Sequence, residues 1–362
     1  MIPYRDLSVQ DPQMKAALLA AVDRVLSHGR LILGPEVQQF EEAMASACQS
    51  RYAVGVNSGT DALFLALRAL DIGPGDGVIT TPLSWIATGN AITMTGAKPV
   101  FVDVGRDLNI NPDLIEAAIT PAVKAIMPVH FTGQLCRITE IVEIAQRHGL
   151  AVIEDGAQAF GARYGEKPAG SFGTLGCFSM NPMKMLAGYG EAGVVVMNDP
   201  LLRDKIDSLR YAGTINKEDC HRPSLNGRLD TLQAAMIMVA LAYLPEKIAR
   251  RREISRFYAE RLSGIVGCPG ENPGYFHTYY SYTILCERRD ELQAFLAVRG
   301  VETKIQHPIL LPYHTAYKGS HPCSIPVAEQ LVTQILCLPN QENLSWEALQ
   351  TITDLVVEFY SS

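Results

Sequence analysis

The sequence predicts an α/β protein in which a large domain is built on a mainly parallel, seven-stranded sheet and a smaller α+β domain follows at the C-terminus. Three observations predict it. Between residues 52 and 197, short β-branched runs alternate with stretches of helical periodicity, the order in which crossover helices join parallel strands. After residue 229 the texture changes to longer, more highly charged helical stretches. A chain of 362 residues with 48% apolar side chains also has enough material for about two domain cores.

From the N-terminus, residues 14–28 carry Leu18, Val22 and Val25 at helical spacing, and PEVQQFEEAMA (35–45) reads as a second helix. The expected strands are YAVGV (52–56), GVITT (77–81), PVFVD (99–103), KAIMPV (124–129), AVIED (151–155), GCFS (176–179) and VVVM (194–197). Helix ends are marked between them: Asn111-Pro112 predicts an N-cap followed by proline at the first helical position, and His148-Gly149 closes a helix begun near Ile138. Residues 229–262 predict two helices parted near Leu244-Pro245. Then come a strand in YYSYTILC (279–286), a helix in RRDELQAFLAVRG (288–300), a strand in ETKIQ (302–306) and two further helices. That order places the domains at 1–248 and 249–362, and with no Gly/Ser linker the two are expected to pack tightly.

Composition excludes several classes of function. A net charge of −7 argues against an extended basic face, so no nucleic acid partner is expected; a small anion held by a few local groups stays open. The N-terminal MIPYRDLSVQDPQ lacks a basic region followed by an apolar run, and no window approaches the ~20 unbroken apolar residues of a membrane span. The expectation is a cytoplasmic protein with no membrane partner. The eight cysteines are widely spaced without a CxxC pair, which suggests neither a zinc site nor a disulfide framework; most are expected to be reduced core residues.

Parallel strands deliver functional residues at their carboxyl ends, where the following turns form a crevice. Three such ends matter here. VGVNSGTDALFLAL (54–67) runs from strand through Ser58-Gly59-Thr60 into a helix, so helix-start N–H groups, a glycine and a hydroxyl can cradle a phosphate. The same turn serves as a plain capped connection in many α/β proteins. In VIEDGAQAFGA (152–162), Asp155 ends an apolar strand, where a carboxylate must meet a cation or several donors. Glu154 should face the other way by strand alternation, and Gln158 is near enough to share a ligand with Asp155. The third end is SMNPMKMLAGYGEAG (179–193), where Lys184 lies on a loop gripped on both sides by the sheet; a lysine desolvated there becomes a nucleophile toward carbonyls. A surface lysine is the commoner meaning of the residue type. Together, a phosphate cradle, a strand-end carboxylate and such a lysine meet the needs of pyridoxal phosphate: an anion at the pyridine nitrogen, a group at the phenolic oxygen and a Schiff-base lysine.

In LILGPEVQQFEEAMA (31–45), VNSGTDALFLAL (56–67), GAKPVFVDV (96–104), MPVHFTGQ (127–134), VIEDGAQAFGA (152–162), FSMNPMKMLAGYGEAG (178–193) and LNGRLDTLQAAM (225–236), the chain resembles the DegT/DnrJ/EryC1/StrS sugar aminotransferases. The resemblance covers nearly the whole length. It implies a fold-type-I aminotransferase that takes an amino group from an amino acid, L-glutamate foremost, onto pyridoxal 5'-phosphate, and passes it from the pyridoxamine 5'-phosphate form to a nucleotide-linked keto sugar. It makes Lys184 the Schiff-base lysine and the proton-moving base, Asp155 the pyridinium partner and Gln158 the group at the phenolic oxygen. Trp85 would stack on the cofactor, its alternative being a core tryptophan, while Gly59, Thr60 and Ser179 would hold the phosphate. Asn226 corresponds to a residue that reaches the phosphate from the other subunit, which implies a homodimer with shared active sites, and Arg228 beside it could assist or form a surface ion pair.

Two departures from the family pattern stand out: Asn181 where histidine is common, and Gly190-Glu191-Ala192-Gly193 where a GEGG run is common. The first leaves the sugar or diphosphate contact near the lysine open. Family dehydratases replace the lysine by histidine, so Lys184 argues for transamination over the alternative of a sugar dehydratase; a catalytically idle homologue that binds a nucleotide sugar is the other alternative. LNGRLDTLQAA and TKIQHPILLPYH resemble the branch that aminates C3 rather than C4. Among the histidines, His130 at a strand end would face the same crevice or be a hydrogen-bonded structural residue. His307, His314 and His321 lie in a loop that borders the sugar site in the family, at spacings that match no zinc pattern.

Overall fold

The computed structural model describes residues 1–317 and 324–361. Its central sheet contains β1 (Tyr52–Val56), β2 (Gly77–Thr80), β3 (Lys98–Phe101), β4 (Val123–Met127), β5 (Ala151–Asp155), β6 (Leu175–Ser179) and β7 (Gly193–Met197). All seven expected strands form, with differences only at their ends. Their spatial order is β1-β7-β6-β5-β4-β2-β3. Neighbours from β6 through β3 are parallel, and β7 is antiparallel to both β1 and β6. The cause lies in the connection: residues 180–192 form turns rather than a crossover helix, so β7 returns beside β6 in the opposite sense.

The helices are α1 (Pro12–His28), α2 (Pro35–Ala47), α3 (Gly59–Ala69), α4 (Ile86–Met94), α5 (Ile138–His148), α6 (Pro200–Arg210), α7 (Thr231–Ala242), α8 (Leu244–Leu262), α9 (Arg289–Val298), α10 (Pro326–Val332) and α11 (Trp346–Ser361). Strand alternation distributes side chains to two cores, one on each face of the sheet. Val194 and Val196 join Phe40 and Met44 of α2 and Ile141 of α5, while Val195 between them joins Leu65 of α3, Ile92 of α4 and Ile206 of α6. Gly149 ends α5 in the left-handed conformation, as its position after His148 predicts.

Two local expectations are corrected. The segment opened by Asn111-Pro112 makes two short 3₁₀ turns, Pro112–Leu114 and Glu116–Ala118, instead of an α-helix. The Asn111 side chain does accept from the Asp113 N–H, but Pro121 follows closely and biases Thr120 to extended backbone, so the turns cannot propagate. ETKIQ is not a strand either: only Lys304 pairs, in an isolated bridge to Cys337. The partner of β8 (Tyr282–Leu285) is β9 (Ile335–Leu338), a fully buried apolar run whose periodicity does not separate strand from helix.

Helix α8 runs from one of these cores to a third one in the C-terminal region. Leu244 and Ile248 pack under the large sheet, whereas Ile254, Tyr258 and Leu262 pack with β8, β9, α9 and α11. The first residues of the chain cross to the C-terminal region as well, where Ile2 bridges Val301. Cys48, Cys136, Cys177, Cys286 and Cys337 are buried, Cys268 is half-buried and Cys220 exposed, all as free thiols; Cys323 lies outside the described residues. No single helix among the described residues is long and apolar enough to cross a membrane.

Candidate active site

A cavity of about 650 Å³ opens where β1, β2, β4, β5 and β6 end, and its wall includes Ser58, Ser84, Val129, Asp155 and Ser179. Ser58 caps α3, its Oγ accepting from the Asp61 N–H at 3.0 Å, and so aims the start of the helix at the cavity. Gly59 is required by a close approach: a Cβ there would lie 2.4 Å from Cβ of Ser179. The helix start, the Thr60 hydroxyl and the Ser179 hydroxyl thereby share one wall, a geometry suited to an anion with several oxygens.

Asp155 is 3% exposed. Its Oδ2 accepts from Oγ1 of Thr88 at 2.9 Å, and Thr88 is in turn 2.8 Å from Oγ of Ser84. Burial pushes the Asp155 acid up, against the opposing pull of Thr88 and the Ala157 N–H. Such a carboxylate is poised to gain from a cation placed beside it. Glu154 faces the other side of the sheet, as alternation predicts, and accepts from the N–H groups of Gly170, Phe172 and Gly173 at 2.7–2.8 Å. His130 belongs to that side too. It is fully buried and pairs with Glu154 at 2.9 Å, so it does not face the crevice; it is a hydrogen-bonded structural histidine.

Lys184 is held by its own turn. Oδ1 of Asn181 accepts from the Met183 N–H at 3.0 Å, the Asn181 carbonyl accepts from the Lys184 N–H at 2.8 Å, and Nδ2 of Asn181 donates to Glu191 at 2.7 Å. Asn181 thus reaches the segment that holds the second departure, through Glu191, the residue before Ala192. The ε-amino group stands 5.2 Å from the ring centroid of Tyr280. Gln158 lines the same cavity, and its Oε1 accepts from the Thr132 N–H at 2.9 Å and from Gln306 at 3.3 Å, which leaves Nε2 as the donor it offers. Trp85 is 60% exposed on the cavity rim, 5.9 Å from the ring of His307, so the core alternative is excluded. His314 also lines the cavity, and His321 lies outside the described residues.

Residues 12–357 match the DegT/DnrJ/EryC1/StrS aminotransferase family. The chain belongs to that family. Among its relatives, a protein of Geobacillus stearothermophilus named pleiotropic regulatory protein is 39% identical, over 99% of this chain and 98% of its own. The dTDP-3-amino-3,4,6-trideoxy-alpha-D-glucose transaminase of Streptomyces venezuelae is also 39% identical, over 99% and 96%. Among solved structures, S. venezuelae DesV in complex with a ketimine intermediate superposes with a TM-score of 0.97 at 39% identity, covering 100% of this chain and 99% of DesV. NtdA from Bacillus subtilis with bound cofactor PMP gives 0.93 at 27%, covering 99% and 84%.

In this family member, every expected site residue except Asn226 lines the one cavity. Asn226 is exposed outside it, its Oδ1 accepting from Nε of Arg228 at 2.7 Å. Sequence reasoning missed Arg5, Thr88, Tyr280, Lys304 and Gln306, all in contact with the cavity or its buried carboxylate. Thr88 was accessible as a hydroxyl in the first turn after a strand end. An arginine five residues from the N-terminus carries no such signal.

Proposed function

We propose that this family member is a pyridoxal-phosphate-dependent sugar aminotransferase that takes the amino group of an amino acid, L-glutamate, and delivers it to the C3 keto group of a nucleotide-linked hexose. The observation that carries the reading is the gathering of Gly59, Thr60, Asp155, Gln158, Ser179 and Lys184 around one cavity. The residues present fit the cofactor. Asp155 is a buried acid with an unmet demand for a cation, the gap between Gly59 and Ser179 admits no side chain, and Gln158 presents a donor. When bound, pyridoxal phosphate supplies an electron sink that makes the carbon bearing the amino group acidic.

The chain's own residues do the rest. Asp155 stabilises a protonated ring nitrogen through charge and keeps its orientation through Thr88. The start of α3 with Thr60 and Ser179 anchors the phosphate. Lys184 would hold the cofactor covalently and, once released, would take the proton from the amino-bearing carbon onto Nζ and deliver it to the cofactor carbon that had borne the lysine, the reverse transfer serving the keto sugar. Trp85 on the rim offers a face for stacking. Support for C3 comes from the Streptomyces relative, whose name is that of a 3-amino-sugar transaminase. Asn226, exposed and outside its own chain's cavity, fits a contribution to a second subunit, and we infer a cytoplasmic homodimer with shared sites.

K184A should lose both the covalently attached chromophore and turnover; transamination at the normal rate by that variant would sink the assignment. Product mass separates amination of a keto nucleotide sugar from dehydration, because the two reactions change it differently.

A further inference from the structure

The N-terminal segment, which precedes the family match over residues 12–357, is strapped to the C-terminal region through its own backbone groups. Ile2 donates to the Gly300 carbonyl at 2.7 Å and accepts from the Glu302 N–H at 3.0 Å, the Tyr4 N–H reaches Glu302 at 2.9 Å, and the Asp6 N–H reaches Gln341 at 3.2 Å. Between these points Arg5 turns into the cavity. Its Nη1 donates to the carbonyl of Met183, the residue before Lys184, at 2.8 Å, and its Nη2 donates to the carbonyl of Tyr280 at 2.6 Å. The guanidinium carbon lies 4.7 Å from the Tyr280 ring centroid, the ring that Lys184 also meets. One planar fork therefore joins the lysine loop of the large sheet to the segment leading into β8 on the facing wall.

We propose that Arg5 is a positioning residue for Lys184: by clamping the Met183 carbonyl to the Tyr280 carbonyl it fixes the lysine loop across the cavity. The inference rests on the aminotransferase reading of Lys184. Neither prong goes to a carboxylate, so the clamp acts on backbone, and the loop it holds has no regular secondary structure of its own. Lysine brings a point charge on a flexible stem and lacks the planar fork that meets these two carbonyls.

The test loads wild type, R5A, R5K and E302A with pyridoxal phosphate. It reads capture of the cofactor on Lys184 by borohydride, the visible circular dichroism of the bound chromophore, and the single-turnover rate with L-glutamate. E302A weakens the strap while leaving Arg5 in place. We expect capture in all four, a loss of about 100-fold in the R5A rate with half-saturation moved by less than about threefold, an altered dichroism in R5A, partial recovery in R5K and wild-type behaviour in E302A. Wild-type rate and dichroism in R5A would overturn the proposal, as would an E302A loss equal to that of R5A, since the strap as a whole would then be responsible. Should R5A fail to fold, R5K decides: a reduced rate with normal capture supports the clamp, and wild-type behaviour refutes it. Failure of wild type to capture cofactor on Lys184 would refute the aminotransferase reading itself.

Discussion

At the scale of single residues, Asp155 shows how position on a strand becomes chemistry. Alternation sends Glu154 to backbone donors on one face and leaves Asp155 on the other with one hydroxyl and one N–H. Its demand for a cation predicts that D155N binds the cofactor more weakly, which is checked by the rise in Tm on adding pyridoxal phosphate. Each tenfold loss of affinity removes about 1.4 kcal/mol of ligand stabilisation, so the Tm increment should shrink measurably, and an unchanged increment would deny the role. His307 supplies a pH prediction. Burial, with Lys184, Lys304 and His314 adding to it, pushes its ring from the ordinary 6.5 down to about 3. A depressed folded value means that the folded state favours the neutral ring. Its stabilisation is therefore full above about 6.5 and is lost as pH falls toward 3, and H307Q should flatten the acid side of a stability-against-pH curve. Asp155 and Lys184 were legible because strand ends and Gly-rich loops are written locally. Arg5 and Thr88 were not, since their roles depend on partners far away along the chain.

At the scale of elements, the meeting of α3 with β6 is the most demanding contact. Alanine is a better helix former than glycine by roughly 1 kcal/mol, so at an open helix start G59A would be neutral or favourable. Here its Cβ would fall 2.4 Å from that of Ser179, and the strand end must move. G59A is expected to fold, to keep its far-UV circular dichroism, and to bind pyridoxal phosphate at least about tenfold more weakly; wild-type affinity in a fluorescence titration would show that the cradle is looser than drawn. The seven strands were readable from β-branched runs. The reversal of β7 was not, because direction is set by the lack of a crossover helix between residues 180 and 192. The small sheet was misassigned for a related reason: a buried apolar run such as ILCL at 335–338 carries no periodicity, while ETKIQ mimics a strand and bends instead along the cavity wall.

At the scale of the whole molecule, Arg251 joins the parts. This 2% exposed residue of α8 donates from Nη1 to the Tyr280 carbonyl at 2.9 Å and pairs through Nη2 with Glu342 at 3.1 Å. Burial alone would raise the Glu342 acid, but Arg251 and Lys247 overcome it and hold it at about 2 instead of 4.5. A depressed carboxylate stabilises the fold above its ordinary value, and the gain is lost as pH falls from 4.5 toward 2. E342Q should accordingly lower Tm at neutral pH and lose the wild-type dependence in that acid window. The inferred dimer has its own check. Mixed dimers of inactive K184A and N226A subunits would contain one intact site if Asn226 completes the neighbour's cavity, so mixing should restore activity, and no recovery on exchange would remove the shared-site reading.

Residue identity and spacing by themselves determined the α/β class, the strands of the large sheet and, at its carboxyl ends, the Ser58-Gly59-Thr60 turn, Asp155, Gln158 and Lys184 that line the cavity. All of these follow from local rules of alternation, capping and turn chemistry. Tertiary structure alone decided that His130 serves Glu154 rather than the cavity, that Asn181 reaches Glu191, and that Arg5 closes on the lysine loop from 178 residues away. The physical reason is that a hydrogen bond between distant segments depends on how the sheet, the strap and the C-terminal region pack. That arrangement is selected by the burial of whole faces, and no short window of sequence contains it.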